Sequence, residues 1–265
     1  MNSSRRDFLL IAGGATVISL GVGGASLLRG NPKPSSDPGP AEEQTGKHWA
    51  LAIDTEKCAE RCSADGGCGA CISACHEAHN VPDLDDTRRE IKWIWHESLE
   101  TVFHDRVNEH TSKELRERPV LVLCNHCDNP PCVRVCPTGA TWKREDGPVM
   151  MDMHRCIGCR YCITACPYGS RSFNFSDPRA CIEKQNPDYP TRTKGVVEKC
   201  TLCTERLSRG ERPACVEACE QAGVKAILFG DLNDPDSEIR KFAGSTLPAR
   251  RKEGLGTLPQ VYYKL

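Results

Sequence analysis

Cys156-Ile-Gly-Cys159-Arg-Tyr-Cys162-Ile-Thr-Ala-Cys166-Pro167 sets four cysteines in the spacing C-x2-C-x2-C-x3-C-P. Upstream, Cys124-Asn-His-Cys127-Asp-Asn-Pro-Pro-Cys132-Val-Arg-Val-Cys136-Pro137 repeats the pattern with a longer second gap. Gaps of two residues turn neighbouring thiolates onto one centre, and a triplet followed by a Pro-flanked fourth cysteine is the pattern that holds a [4Fe–4S] cubane. Two looser groups flank these runs, Cys58–Cys75 and Cys200–Cys219. The chemistry of such centres is one-electron transfer.

The four runs differ in a way that predicts their partners. The second and third end in Cys136-Pro137 and Cys166-Pro167, the first and fourth in Cys75-His76 and Cys219-Glu220. In two-cluster ferredoxins the fourth cysteine of a run reaches the other cluster, so runs work in pairs. The proline asymmetry and short separation pair the second run with the third, leaving the first with the fourth. Four [4Fe–4S] clusters follow. One is expected on Cys124, Cys127, Cys132 and Cys166, and its neighbour on Cys156, Cys159, Cys162 and Cys136. The outer two are expected on Cys58, Cys68 and Cys71 with Cys219, and on Cys200, Cys203 and Cys215 with Cys75. Cys62 is the alternative to Cys58. Asp54-Thr-Glu-Lys-Cys58 matches Asp152-Met-His-Arg-Cys156, which favours Cys58 and puts Cys62 in an inserted loop, Ala59 to Gly67. Of the 18 cysteines, Cys62 and Cys181 are then left as structural thiols, or as a disulfide formed after export.

Other readings of the same residues are weaker. Zinc sites use two C-x2-C pairs, not triplets closed by Cys-Pro. His76, His79, His126 and His154 read as loop hydrogen-bond donors, because each site already has four cysteines. Arg206, Arg209 and Arg212 in the Cys203–Cys215 gap read as a solvated loop, the alternative being a positive rim that docks a partner. No nucleophile with a base, phosphate loop or paired carboxylates stands out, so a catalytic role is not expected.

Composition agrees. Only 38% of the 265 residues are hydrophobic and 6% aromatic, a lean core that metal ligation can supplement, since ligation energy becomes folding energy. A net charge of −1 gives no nucleic-acid signal. Residues 1–30 read as a twin-arginine export signal, with Ser4-Arg5-Arg6-Asp7-Phe8-Leu9 ahead of a glycine-diluted apolar stretch from Phe8 to Leu28. A transmembrane helix or uncleaved tether is the alternative. That route serves proteins folded around cofactors before export, so a periplasmic location and clusters are compatible. Residues 31–47 read as a Pro/Gly-rich linker.

Short strands are expected at Trp49–Ile53, Val120–Leu123, Val149–Met151, Val196–Val197 and Ala226–Phe229. A hairpin is expected to turn at Glu145-Asp146-Gly147-Pro148, with short helices at Val133–Val135 and Ile163–Ala165. The expected fold is α+β: two bacterial-ferredoxin-like bicluster modules over 48–230 (the inner about 118–176), long loops, and an extended wrapping tail over 231–265.

The cysteine runs and the residues after them resemble a known family. Cys124-x2-Cys127-x2-Pro-Pro-Cys132-x3-Cys136-Pro137-Thr-Gly-Ala140 and Lys199-Cys200-Thr-Leu-Cys203-x2-Arg206-x3-Gly210-x2-Pro213-Ala-Cys215 resemble the four-cluster electron-transfer subunits of bacterial respiratory complexes. That group includes the β subunits of dimethyl sulfoxide, polysulfide and formate complexes. Gly230-Asp231-Leu232-Asn233-Asp234-Pro235 and Leu255-Gly256-Thr257…Val261-Tyr262-Tyr263 are also similar. The expanded first run departs from most members and looks like the DsrO-like periplasmic ferredoxins of a membrane complex associated with dissimilatory sulfite reductase. That resemblance implies a non-catalytic redox subunit with two partners: a polytopic quinone-interacting membrane subunit, and a periplasmic multihaem cytochrome c or other redox subunit. The β subunit of a molybdopterin reductase is the second reading, and a structural zinc protein the third.

Overall fold

The computed structural model describes residues 46–62, 68–84, 86–245 and 247–265. The twin-arginine segment, the linker up to residue 45 and residues 63–67 of the insertion lie outside the described residues. The elements run β1 (Trp49–Asp54), α1 (Thr55–Cys62), α2 (Ala70–His79), β2 (Ile94–Ser98), α3 (Leu99–Val102), α4 (Lys113–Glu117), β3 (Pro119–Leu123), α5 (Pro131–Arg134), β4 (Thr141–Lys143) and β5 (Val149–Met151). They continue with α6 (Tyr161–Ala165), β6 (Ser172–Phe173), β7 (Val197–Glu198), α7 (Thr204–Leu207), α8 (Ala214–Gln221), β8 (Ile227–Asp231), α9 (Glu238–Ser245) and β9 (Val261–Lys264). The fold is mixed α+β, with small sheets of two or three strands.

The three-stranded sheet has β1 at its centre. β8 pairs antiparallel with it, Leu51 opposite Phe229, and β9 pairs parallel, Ile53 opposite Tyr263. Side chains alternate faces along a strand. Leu51 and Ile53 enter the main core with Trp93, Phe103 and Tyr263, while Ala50 and Ala52 meet Leu232 and Ile239. The alanines leave room for α9, and Gly230 does the same: a Cβ there would stand 2.6 Å from Ser237 Oγ and 3.0 Å from Ile239 Cγ2.

Several local expectations meet the structure differently. The tail is not simply extended. α9 packs on β8 and β1, and β9 closes the sheet. Val261 and Tyr263 are buried, an alternation hidden by the region's overall polarity. Ala59–Cys62 is not loop but the second half of α1, made of good helix formers and started by Asp54, whose Oδ1 accepts from Lys57 N at 3.1 Å. β2, with Trp95, His96 and Glu97, is a further strand; its pairing with β3 supplies what its composition does not. The hairpin is present as β4–β5, Thr141 opposite Met151, with Gly147 at φ 108° in the turn. The inner helices are α5 and α6, and they pack on each other; α2 packs on α8. Among the described residues no helix is long and apolar enough to cross a membrane.

Two polar knots tie distant segments. Glu198 is fully buried, and its carboxylate accepts from Trp93 Nε1 (2.8 Å), Asn174 Nδ2 (2.5 Å) and Arg192 Nη2 (2.6 Å). Arg192, also buried, donates to the carbonyls of His79 and Asn80. Asp128 accepts from His48 Nε2 (3.0 Å), Lys143 Nζ (2.6 Å) and Gln260 Nε2 (2.6 Å), joining the lead into β1, the hairpin and the tail. Burial works to raise the Asp128 carboxyl, but His48 and Lys143 outweigh it and hold it below its ordinary range.

Removing one member of a buried pair leaves a bare charge, so Arg192→Met is expected to cost about 3–5 kcal/mol, read as a drop in denaturant midpoint. For Asp128, the depressed folded-state pKa stabilises the fold above the ordinary value of 3.8 and is lost as pH falls below it. Asp128→Asn is therefore expected to destabilise by about 1.5–3 kcal/mol at pH 7. The deficit should fade in melts taken progressively below that value.

Candidate metal centres

The structure draws the cysteines into four groups. Cys124, Cys127, Cys132 and Cys166 line one small cavity. Cys136, Cys156, Cys159 and Cys162 line a second. Cys75 lies among Cys200, Cys203 and Cys215, close enough for their charges to act on it. Cys71 lies in the same way among Cys62, Cys68 and Cys219, and Cys58 feels Cys62, Cys71 and Cys219. Adjacent groups are also near enough for their charges to act on each other: Cys71 on Cys215, Cys124 on Cys200, and Cys132 on Cys162. The groups thus form a row running from Cys58 at one end to exposed Cys159 at the other. Cys181 stands apart on a 3-10 turn, Pro178–Cys181. Among the described residues no cysteine is in a disulfide.

Backbone geometry serves the sulfurs. The chain curls through left-handed residues at His126, Arg160, Leu202 and Cys203, a conformation that aims successive N–H groups inward. Leu202 N donates to Cys200 Sγ (3.4 Å), Ala226 N to Cys219 Sγ (3.3 Å) and Val197 N to Cys156 Sγ (3.5 Å). Gly158 has φ +69°, and a Cβ there would collide with Gly195 O, so only glycine fits this gap of the third run.

Without a metal these thiols resist ionisation. Burial, then neighbouring cysteines, pushes Cys71 and Cys127 up to about 12, and raises Cys58, Cys75, Cys203 and Cys215 as well. Cys136 goes the other way: burial raises it, but donors from Thr138 and nearby backbone together outweigh that and lower it. Four desolvated thiolates on one centre require compensating cationic charge, which iron supplies. The donor sets fit [4Fe–4S] clusters: sulfurs converge in every group, and in the inner two they line a small cavity. Asn125 adds a second observation. It is buried, lines the cavity of Cys124, Cys127, Cys132 and Cys166, and has no hydrogen-bond partner at either amide atom. An orphaned buried amide costs stability unless something in the cavity completes it.

Residues that spacing did not flag crowd these groups. Lys199 is fully buried and donates to the carbonyls of Val149 and Cys200. Arg171 lies beside Cys132 and Cys162. Thr257, far along the tail, hydrogen-bonds Cys127 and Tyr168. Nothing in the cysteine spacing points to them; a charged residue a few positions from a ligand run is the only available signal.

The histidines are not loop donors as a class. His76 and His79 lie on α2, where the buried His79 ring donates to Cys75 O (2.8 Å) and meets Glu205 (2.9 Å). His126 accepts from Val149 N at Nδ1 (3.0 Å), and burial, with Lys199 and Arg171 nearby, keeps it neutral. His154 does sit in a loop, its backbone N–H held by Asp152. The arginines of the Cys203–Cys215 gap do not form a positive rim. Arg206 pairs with Glu217, Arg209 with Glu211 and Arg212 with Glu220. Cys62 Sγ lies 3.6 Å from His96 Nε2, on the face of α1 that also carries Cys58.

Residues 120–184 match the family described as a 4Fe-4S dicluster domain. Over 98% of its length the chain is 41% identical to the Hdr-like menaquinol oxidoreductase iron-sulfur subunit 1 of Archaeoglobus fulgidus, covering 97% of that protein. It is 35% identical to the iron-sulfur cluster-binding subunit of menaquinone reductase from Nitratidesulfovibrio vulgaris, over 81% of this chain and 88% of the relative. It is 37% identical to the B subunit of polysulfide reductase from Wolinella succinogenes, over 74% and 86%. On these relatives, the chain belongs to the family of non-catalytic iron–sulfur electron-transfer subunits of menaquinol-, polysulfide- and dimethyl-sulfoxide-type reductase complexes.

Proposed function

We propose that the chain is an exported electron wire holding four [4Fe–4S] clusters. The ligand sets are Cys58, Cys68, Cys71 and Cys219; Cys75, Cys200, Cys203 and Cys215; Cys124, Cys127, Cys132 and Cys166; and Cys136, Cys156, Cys159 and Cys162. Cys62 is the alternative to Cys58. When bound, such clusters carry single electrons. The carrying observation is the succession of cysteine groups, each within reach of the next one's charge. The chain's part is to fix that row, exclude water from its middle and leave an exposed sulfur, Cys159, at one end.

The wire runs between a quinone-interacting membrane subunit and a periplasmic redox partner, a multihaem cytochrome c or another redox subunit. The names of the menaquinol oxidoreductase and menaquinone reductase relatives support the quinone side. The twin-arginine motif supports periplasmic export, with the membrane reached through the partner. The expanded first run supports a DsrO-like role in a complex linked to dissimilatory sulfite reduction. A second reading, the β subunit of a molybdopterin reductase, is favoured by the polysulfide reductase relative.

Anaerobically purified protein is expected to be brown, with about sixteen irons and matching sulfide per chain; colourless protein containing zinc would overturn the reading. Cys219→Ala should remove or convert the cluster of Cys58, Cys68 and Cys71, read by electron paramagnetic resonance. Loss of the Cys200, Cys203 and Cys215 site instead would refute the pairing. Replacing Arg5-Arg6 by Lys-Lys should hold the protein in the cytoplasm on fractionation, and unimpaired export would refute the signal assignment.

A further inference from the structure

Arg171 is a cation placed where a protein interior ordinarily excludes one. It is 4% exposed, and among the described residues no carboxylate pairs with it. Of the other two buried arginines, Arg192 has Glu198 at 2.6 Å, and Arg251 lies over the Tyr168 ring at 5.3 Å. Arg171 has instead Thr141 Oγ1 at 2.8 Å from Nη2 and Met151 Sδ at 3.7 Å from Nη1, neutral groups that anchor it without balancing its charge. A buried charge requires a compensating one. The negative groups that act on it are sulfurs: Cys132 first, then Cys162 and Cys124. Cys132 and Cys124 line one cavity, and Cys162 the other. Arg171 itself lines the first cavity and reaches Cys162 of the second, so one guanidinium lies at the junction of the two inner sites.

The two β-strands of the hairpin explain its placement. Thr141 starts β4 and Met151 ends β5, directly opposite each other. The hairpin thus offers one hydroxyl and one thioether to hold the guanidinium between the inner sites. A structural role alone would be served by a carboxylate partner, as at Arg192. Leaving the cation unpaired reserves its field for the sulfurs.

We propose that Arg171 is a shared potential-setting residue, a fixed positive charge that eases reduction of both inner clusters and so makes them a matched pair of stations within the wire. This rests on the assignment of Cys124, Cys127, Cys132 and Cys166, and of Cys136, Cys156, Cys159 and Cys162, as cluster ligands. The physical ground is direct: reduction adds an electron to a cluster, a nearby cation stabilises the added charge, and burial weakens solvent screening. Arg171 acts through the field it places on the sulfurs and takes no part in electron exchange itself.

The test is redox titration of the full chain, purified anaerobically and followed by electron paramagnetic resonance, with iron counted in every sample. Cys132→Ser and Cys162→Ser identify which midpoints belong to the inner clusters. Arg171→Met removes the charge and keeps the bulk; Arg171→Gln removes it and keeps a donor for Thr141; Arg171→Lys keeps the charge. In both neutral variants, with iron content as in the wild type, the two inner midpoints are expected to fall. The reduction equilibrium constant of each should drop tenfold or more, about 59 mV per tenfold for one electron. The outer two should stay in place, and Arg171→Lys should retain most of the wild-type values. Unchanged inner midpoints in an iron-replete neutral variant would overturn the proposal, as would an equal shift at all four clusters. Loss of the inner clusters in both neutral variants, with Arg171→Lys retaining them, would also overturn it in favour of a purely structural cation. If the wild-type protein itself lacks the inner clusters, it is the ligand assignment that fails.

Discussion

Burying sulfur is the constraint on which this structure depends. Among the described residues eleven cysteines lie in the interior, Cys58, Cys71, Cys75, Cys124, Cys127, Cys132, Cys162, Cys200, Cys203, Cys215 and Cys219. As thiols they are small apolar groups; as thiolates they repel each other in a medium that screens poorly. Iron reconciles burial with ionisation, and its ligation adds to the stability of a chain whose apolar content is low. The main core contains both kinds of group: Cys58, Cys71, Cys75, Cys200, Cys215 and Cys219 belong to the same buried cluster as Trp93, Phe103 and Tyr263.

The same constraint organises the polar interior. A cluster-binding loop exposes backbone N–H groups to sulfur rather than to a helix or sheet partner, so the chain supplies left-handed turns and glycine where its path must tighten. Charges brought inside are treated in two ways. Glu198 and Arg192 neutralise each other and tie β7 to the end of α2, a mainly structural arrangement. Arg171 and Lys199 lack a carboxylate among the described residues and lie against sulfur groups or their carbonyls. Arg251, also buried without a carboxylate among the described residues, lies instead over the Tyr168 ring.

Much of this was legible from spacing. The triplets and the Cys-Pro endings of the second and third runs imply converging sulfurs, because a two-residue gap cannot carry neighbouring thiols far apart. Short strands at Trp49, Val120 and Val149 and the hairpin turn at Gly147 were readable from apolar runs and turn residues. Elements whose signal is shared with a distant partner were not. β2 carries Trp95, His96 and Glu97 and takes its form from pairing with β3. β9 lies parallel to β1, so nothing near it in sequence announces the pairing. The arginines after Cys203 carry charge that is visible in the chain, but the glutamates that cancel it are contributed by the following loop and α8.

By itself, then, the chain determined which residues could hold metal and the one-electron chemistry they imply, because ligand spacing is a local property. Tertiary structure decided what surrounds them. Thr257 reaches Cys127 from the far end of the tail, Asn125 turns an unpartnered amide toward the sulfurs, and Arg171 arrives between two groups of cysteines on the support of a hairpin. Electrostatic environment is a sum over neighbours in space, and those neighbours are set by packing rather than by position along the sequence.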